Sequence, residues 1–192
     1  KRVEFTVKKK RKDGSEIWVE VVAVPMRYEG NDAVLAVNRE VTEKKERKQE
    51  LRNERTKFQE IFNNANDAIY LHELTEEGMP GNFIEVNKTA SEMLGYSREE
   101  FLEMSPQKID AAEKADEVPE VMKKLADEGE AKFEMIHKAK DGTKIPIEIH
   151  SHIFELEGEK RVLSVARDIT ERKEAERKMK SSERKFRSSF EA

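Results

Sequence analysis

The fold of this chain is decided by residues 140–170, KDGTKIPIEIHSHIFELEGEKRVLSVARDIT. Within this stretch, residues 145–154 alternate between apolar and polar side chains, which is typical of a half-buried β-strand. Two turn signals bound the alternation, because Gly accepts a positive φ: Asp141-Gly142 and Glu157-Gly158. With a similar alternation over residues 133–138 and a strand over 161–169, the stretch predicts a three-stranded antiparallel meander.

The same pattern occurs a second time in the chain. Asp13-Gly14 matches Asp141-Gly142 at a shift of 128 residues, and about 20 of the 64 overlapping positions are identical, where average residue usage predicts roughly 1 in 16. The match runs without a gap to Phe62 and Phe190. A period of this size is that of a domain and not of a solenoid. The sequence therefore predicts a tandem array of which a single copy is complete.

Composition excludes several kinds of protein. Lys plus Arg is 37 and Asp plus Glu is 41, so the net charge of −4 argues against nucleic-acid binding through bulk positive charge. No stretch of about 18 apolar residues occurs, so no membrane span is expected. The chain has no Cys, which excludes disulfides, Cys-ligated zinc and a cysteinyl-flavin adduct. We expect a cytoplasmic protein, since a Cys-free composition suits a reducing compartment.

Upstream of the meander, residues 68–74 and 83–86 are predicted strands, and short helices follow them. Their boundaries are an Asn cap, a capping box, a Ser-Pro start and Gly ends, at Asn87, Ser97 with Glu100, Ser105-Pro106, Gly95 and Gly129. The last of these helices covers residues 118–127. The expected fold class is α+β, with a five-stranded antiparallel sheet, short helices on one face and linker helices at both flanks.

The linkers are charged helices, and Thr42 and Thr170 are their predicted caps. Leu51 and Phe58 are seven residues apart, as are Met179 and Phe186. This spacing allows a thin two-helix seam, and a plain solvated helix is an equal alternative.

The order of these motifs resembles the PAS sensor family. The matching residues are Glu85-Val86-Asn87, Leu94-Gly95-Tyr96-Ser97, Glu99-Glu100-Phe101, Lys140-Asp141-Gly142-Thr143 and Arg167-Asp168-Ile169-Thr170-Glu171-Arg172-Lys173. The first half-copy departs from the pattern at Glu40, where the family usually has Asp. The resemblance implies a sensory or dimerising module whose sheet and helices enclose a pocket, with signals leaving through the helix after Asp168-Ile169-Thr170.

The repeat and the resemblance together divide the chain into four parts. Residues 1–43 are the C-terminal half of a preceding PAS repeat, and 44–57 are a helical linker. Residues 58–172 are a complete PAS domain. Residues 173–192 are a second linker and the start of a next repeat.

Candidate site residues follow from the same alignment of elements. Arg167, Asp168 and Thr170 are the expected signal relay between the sheet and the output helix. The candidate ligand pocket is lined by Met93, Tyr96, Phe101, Met122, Leu125, Phe133, Met135, Ile147 and Ile149. Several of these are Met, which adapts to irregular volumes, and a filled core is the open alternative.

Histidines are the remaining candidates for cofactor chemistry. His150 and His152 are two residues apart on one strand face, but no third ligand is close in the sequence, so no metal site is expected. His137 shares a face with Phe133 and Met135, so it is expected to face the pocket. Haem is not expected, because the resemblance implies an iron-binding His on or near the long helix and the helix over residues 118–127 has no His. Noncovalent flavin has no positive support. The cofactor stays unknown.

No phosphate-binding loop or nucleophile–base arrangement is present, so we expect no enzyme activity in this chain. We expect a signal-sensing and signal-transmitting module of a multi-PAS sensor protein, such as a histidine kinase of a two-component system. The alternative is a ligand-free interaction and dimerisation module. The expected partners are neighbouring PAS repeats, an output domain, a small-molecule ligand and a second copy, through the linker helices or a swapped half-repeat.

The half-repeat gives one structural expectation. Its apolar face, including Ile17, Val19, Val21 and Val37, is expected to be exposed in a monomer and covered by a second chain or by swapped strands.

Overall fold

The computed structural model describes residues 1–111 and 117–188 and divides into two compact units, Lys1–Gln59 and Glu60–Ala192. Phe190, which closes the internal repeat in the sequence, lies outside the described residues. In the described part, no helix combines the length and the apolar character needed to cross a membrane.

The N-terminal unit is a three-stranded antiparallel sheet followed by a helix. The strands are β1 (Val3–Lys10), β2 (Glu16–Tyr28) and β3 (Asn31–Glu40), in the order β1-β2-β3, and α1 (Thr42–Asn63) continues the chain. Gly14 adopts a φ of +89° in the first hairpin turn, as the Asp-Gly signal predicts.

The expectation that the apolar face of this sheet is exposed in a single chain is partly wrong. Val19 and Val21 are buried and Ile17 is half-buried, whereas Val37 is exposed. β2 is the central strand, so its side chains have neighbours on both sides: Val21 lies between Phe5 and Asn38. Val37 is paired with Val22, which places it on the opposite face from Val21.

The C-terminal unit contains the five-stranded antiparallel sheet that the sequence predicts. Its strands are β4 (Ala68–Leu74), β5 (Pro80–Val86), β6 (Glu130–Lys138), β7 (Lys144–Leu156) and β8 (Glu159–Asp168), in the order β5-β4-β8-β7-β6. The last three strands form the meander, because β7 pairs with both β6 and β8.

Four short helices pack on this sheet, and a longer helix leaves it. They are α2 (Lys88–Leu94), α3 (Arg98–Leu102), α4 (Pro106–Ile109), α5 (Val118–Glu128) and α6 (Thr170–Ser188). The predicted capping box is present, with Ser97 and Glu100 bonded to each other's backbone N–H groups. Gly95 and Gly129 end α2 and α5 in the left-handed conformation.

Asn87 joins this helical layer to the sheet and to the start of the domain. Its side-chain oxygen accepts hydrogen bonds from the backbone N–H groups of Ala90 and Ile69, at 2.9 and 3.0 Å. Its amide nitrogen donates to the carbonyl oxygens of Phe62 and Asp67, at 3.1 and 3.0 Å. Both ends of this buried amide are therefore fully used, and one side chain ties together the end of α1, the start of β4 and the first turn of α2.

The start of α6 differs from the prediction. Thr170 is the first residue of the helix and not its cap, and its N–H donates to Oδ1 of Asp168 over 2.7 Å. The Asp side chain captures a donor that the first helical turn leaves free, which accounts for the difference.

Candidate functional site: an apolar cavity with a few polar groups

A cavity of about 60 Å³ lies between the inner face of the sheet and helices α4 and α5. Most of its wall is apolar. Its polar lining residues are Tyr70, His72, Asp110, His137, Ser151 and Ser164. A water molecule needs roughly 10–15 Å³ of such space, so this cavity suits a molecule of a few non-hydrogen atoms.

The strands place these polar groups by simple alternation. Tyr70 and His72 are two residues apart on β4, and Ser151 on β7 is paired with Ser164 on β8. The two hydroxyl oxygens of the serines are 2.8 Å apart and are buried, so they form a hydrogen bond in the cavity wall.

Asp110 and His137 lie together on one side of the cavity. Asp110 Oδ1 lies 3.4 Å from Nε2 of His137, and both side chains are largely buried. Asp110 directly follows α4 and is held against β6, because the N–H of Ala111 donates to the carbonyl oxygen of Ile136 over 2.8 Å. A bridge between Asp110 and His137 thus fixes the carboxylate beside the imidazole.

Two buried polar atoms of residues that line this cavity have unused hydrogen-bonding capacity. Within the described residues, Tyr70 Oη and His137 Nδ1 are buried without a hydrogen-bond partner. An unsatisfied buried polar group costs about 1–3 kcal/mol, so native proteins leave few of them without a purpose or a bound molecule. A molecule bound in the cavity could form hydrogen bonds with these two atoms.

Burial also sets the protonation states of the cavity. It raises the pKa of the Tyr70 hydroxyl well above its usual value, and the negative charge of Asp110 raises it further, so Tyr70 is a neutral donor. Burial lowers the pKa of His72, which outweighs the backbone hydrogen bond to Glu73 and the attraction of Asp110. His72 is therefore held as the neutral imidazole, with Nδ1 2.9 Å from the carbonyl oxygen of Glu73.

The structure divides the sequence-predicted pocket residues into two groups. Those that line the cavity are Met122, Leu125, Phe133, Met135 and Ile149. Those that pack in the adjoining core are Met93, Tyr96, Phe101 and Ile147. His137 lines the cavity beside Phe133 and Met135, where its place in the alternation puts it. Their role in ligand binding stays a prediction.

Sequence reasoning missed most of the polar lining. The alternation of β4 carries a usable signal for Tyr70 and His72, since both share a face with buried Ala68. The alternation of β7 likewise places Ser151 on the same face as Ile147 and Ile149. Asp110 has no such signal, because its position depends on the bridge between α4 and β6.

The outer face of the same strands holds the start of α6. Glu134 lies between two cavity residues of β6, Phe133 and Met135. Its carboxylate accepts a 2.7 Å hydrogen bond from Arg172 and lies 2.6 Å from the Lys173 amine. Arg172 also reaches Glu148 on β7, at 3.3 Å.

The predicted relay residues lie at the junction of β8 and α6. Arg167 donates hydrogen bonds to the carboxylate of Asp67 from Nε, at 3.1 and 3.3 Å, and from Nη2, at 2.8 Å. Asp168 holds the first N–H of the helix, that of Thr170. The end of the last strand is thereby tied to the beginning of β4 and to α6.

Comparison with known families agrees with this architecture. A model of the PAS domain matches residues 1–43 and 66–171. The chain belongs to the PAS domain family. The first matched segment spans residues 1–43, and the second lies within residues 58–172 of the division that the sequence predicts.

Individual proteins and solved structures are also similar to this chain. The chain is 40% identical over 126 residues to the methyl sulfide methyltransferase-associated sensor of Methanosarcina acetivorans, which covers 66% of this chain but only 12% of that protein. The crystal structure of the PAS domain of an HTR-like protein from Haloarcula marismortui is 30% identical, with a TM-score of 0.57, over 65% of this chain and 99% of that one. A PAS domain from a two-component sensor histidine kinase shares the fold at 21% identity, with a TM-score of 0.51, over 61% of this chain and 97% of that one.

Proposed function

We propose that this PAS domain binds a small polar molecule in its cavity and passes the resulting change to α6. The observation that carries the proposal is that one face of β6 lines the cavity and the other face contacts α6. Its residues Phe133, Met135 and His137 line the cavity, while Glu134 on the other face holds Arg172 and Lys173 of α6. A shift of this strand changes the cavity and the anchor of the helix together.

The bound molecule is proposed to accept the hydrogen bond of Tyr70 and to pair with Nδ1 of His137. These contacts are absent without it, so the molecule favours one arrangement of the sheet over another by the free energy of those contacts. The remaining wall is apolar, which favours a compact molecule with few polar atoms.

Mass spectrometry of the natively purified chain tests this step. We expect one small polar molecule per chain in the wild type and a clear loss of it in His137→Leu. His150→Leu is the matched control, because His150 is exposed on the outer face of the sheet. Repeated recovery of empty wild-type protein, or equal occupancy in both variants, contradicts ligand sensing.

We further propose that the output domain lies outside this chain and that the parent protein carries several PAS repeats. The sensor name of the Methanosarcina relative, the two-component sensor kinase that contains a similar PAS domain, and the internal repeat support this reading. A cytoplasmic location, a histidine kinase output and the absence of enzyme activity in the chain itself are parts of the same proposal. The test is whether Thr170→Ala alters the output activity of the full-length parent beyond its effect on thermal stability.

A ligand-free dimerisation module is the second candidate. Leu51 and Phe58 are seven residues apart on α1, and both side chains are exposed in the single chain. That spacing suits a helix seam between two copies. Light scattering separates the possibilities: a dimer that Leu51→Glu dissociates supports it, and a strict monomer at all concentrations contradicts it.

A further inference from the structure

Three side chains of types that can ligate a metal lie together on the outer face of the sheet, away from the cavity. β7 directs Ile149 and Ser151 inward, so His150 and His152 face outward. Glu130, the first residue of β6, is paired with His152 in the antiparallel register. The third ligand that the sequence lacks nearby is thus supplied by the neighbouring strand.

The distances between the ligand atoms fit a bound cation. Oε2 of Glu130 lies 3.6 Å from Nε2 of His150 and 3.4 Å from Nδ1 of His152. The three ligand atoms are within 4.8 Å of one another. Bonds of about 2.0–2.1 Å in a tetrahedral zinc site put neighbouring ligand atoms about 3.3–3.4 Å apart, so two of the three separations are already close to the required value.

The backbone under these residues is fixed independently of any metal. Gly129 caps α5 with a φ of +79°, and its N–H donates to the carbonyl oxygen of Leu125 over 3.0 Å. The N–H of Ile153 donates to the carbonyl oxygen of Gly129 over 2.9 Å. Glu130 and His152 are therefore held in register on both sides of this bond, and only side-chain rotations remain to be ordered.

The nearest lysine on the facing strand is engaged elsewhere. Lys132 is paired with His150 across the strands, but its amine lies 3.2 Å from Oε1 of Glu148. Glu148 is the next outward residue of β7 on the side away from His152. The carboxylate of Glu130 is thus in contact with the two imidazoles.

We infer that Glu130, His150 and His152 form a site for one divalent transition-metal cation, with Zn²⁺ the best match. Two imidazoles and one carboxylate suit Zn²⁺ and its neighbours, whereas Mg²⁺ and Ca²⁺ prefer oxygen ligands alone. The three side chains are 48–57% exposed, so the fourth position of the metal is open to water or to a group on another molecule. This site does not depend on the proposed cavity function.

Calorimetric titration of the untagged chain with Zn²⁺, in excess Mg²⁺, tests the inference. We expect one Zn²⁺ per chain, and an affinity at least about tenfold weaker in His152→Gln and in Glu130→Gln, because each removes one of three ligands. Glu155→Gln, an exposed change further along β7, is the matched control and is expected to bind like the wild type. The other two histidines of the chain, His72 and His137, are buried, so the exposed pair is the imidazole source in the test.

Two results overturn the inference. One is the absence of Zn²⁺ binding by the folded wild type. The other is unchanged binding in His152→Gln when circular dichroism shows that the variant is folded. A chemical-shift change confined to the His150 and His152 ring signals on adding Zn²⁺ supports the site.

Discussion

Arg172, in the first turn of α6, donates a hydrogen bond from Nη2 to Oε1 of Glu134 on β6 over 2.7 Å. Its Nη1 reaches Oε2 of Glu148 on β7, and the Lys173 amine lies 2.6 Å from Oε2 of Glu134. Two adjacent cations of the helix are thus held by two acids on adjacent strands. Because those strands also line the cavity, this contact is the physical link that the proposed function requires between a bound ligand and α6.

Glu134→Gln is expected to loosen the start of α6 without unfolding the domain. The ion pair is exposed, and such pairs contribute about 1 kcal/mol or less to global stability. Amide hydrogen exchange of residues 170–174 is therefore expected to rise while the thermal midpoint stays nearly constant. Glu128→Gln is the control, since it removes an exposed pair with Lys124 inside α5. Unchanged exchange in α6 would contradict the view that Glu134 holds the start of this helix through Arg172 and Lys173.

The contacts of Glu134 and Glu148 with the start of α6, here called the anchor, are also expected to be lost in acid. Hydrogen bonds to cationic side chains lower the pKa of Glu134, chiefly through Lys173, and of Glu148, chiefly through Lys132. A lowered folded pKa gives a stabilising contribution that is present above the ordinary Glu value of 4.5 and is lost as the pH falls through the folded pKa. Protection of the first turn of α6 should hold from pH 7 to 5 and fall only below about pH 4.5.

The pH experiment has its own control. In a Glu134→Gln/Glu148→Gln variant the acid-dependent step should disappear, because no carboxylate remains to be protonated at the anchor. If the amides of the first turn of α6 lose protection between pH 7 and 5 in the wild type, a group other than these two carboxylates holds the helix.

Asn87→Ala is expected to destabilise the domain by at least about 3 kcal/mol. The change leaves two N–H groups, one buried and one partly buried, and two carbonyl oxygens without their side-chain partner, and it removes the cap of α2. Urea denaturation measures the loss. Asn53→Ala, on exposed α1, is the matched control and should change stability little. A loss under about 1 kcal/mol would show that the four bonds are replaced by water.

Tyr70→Phe is expected to stabilise the ligand-free domain by about 1 kcal/mol, since it removes a buried hydroxyl that has no partner. The same change should weaken ligand retention, because that hydroxyl is the proposed donor. Urea denaturation of stripped protein gives the first effect, with Tyr96→Phe, a half-buried position, as control. A clear loss of stability in Tyr70→Phe would show that the hydroxyl is already satisfied in the empty domain.

Much of the fold could be predicted from short-range patterns. The period of two in β7, the Gly at each turn, and the Asn87 and Ser97 caps are local signals, and the structure has the elements they indicate. The inward face of His137 follows from the same alternation. These features depend on neighbouring residues, which a sequence displays directly.

The rest depends on register and on contacts between distant segments. Val37 lies on the opposite face of its sheet because it pairs with Val22, and no local pattern fixes that pairing. Glu130 reaches His152 only through the alignment of β6 with β7. Asp110 enters the cavity because a backbone bridge holds it to β6, and Asp168 replaces Thr170 at the start of α6 because its side chain reaches the first free N–H.

The most direct test of the central claim is hydrogen exchange in α6 when the cavity is filled by mutation. Ser164→Leu puts an apolar group into the cavity wall on β8. Overpacking of a core typically costs about 1–3 kcal/mol, and the change also removes the hydrogen-bond partner of the Ser151 hydroxyl. We expect altered exchange over residues 170–174 in Ser164→Leu, and no such response when Glu134→Gln and Glu148→Gln are also present. The coupling of cavity and helix through β6 and β7 would be contradicted by either of two results. One is unchanged exchange over residues 170–174 in Ser164→Leu, and the other is an equal change in exchange when the two acids are also replaced.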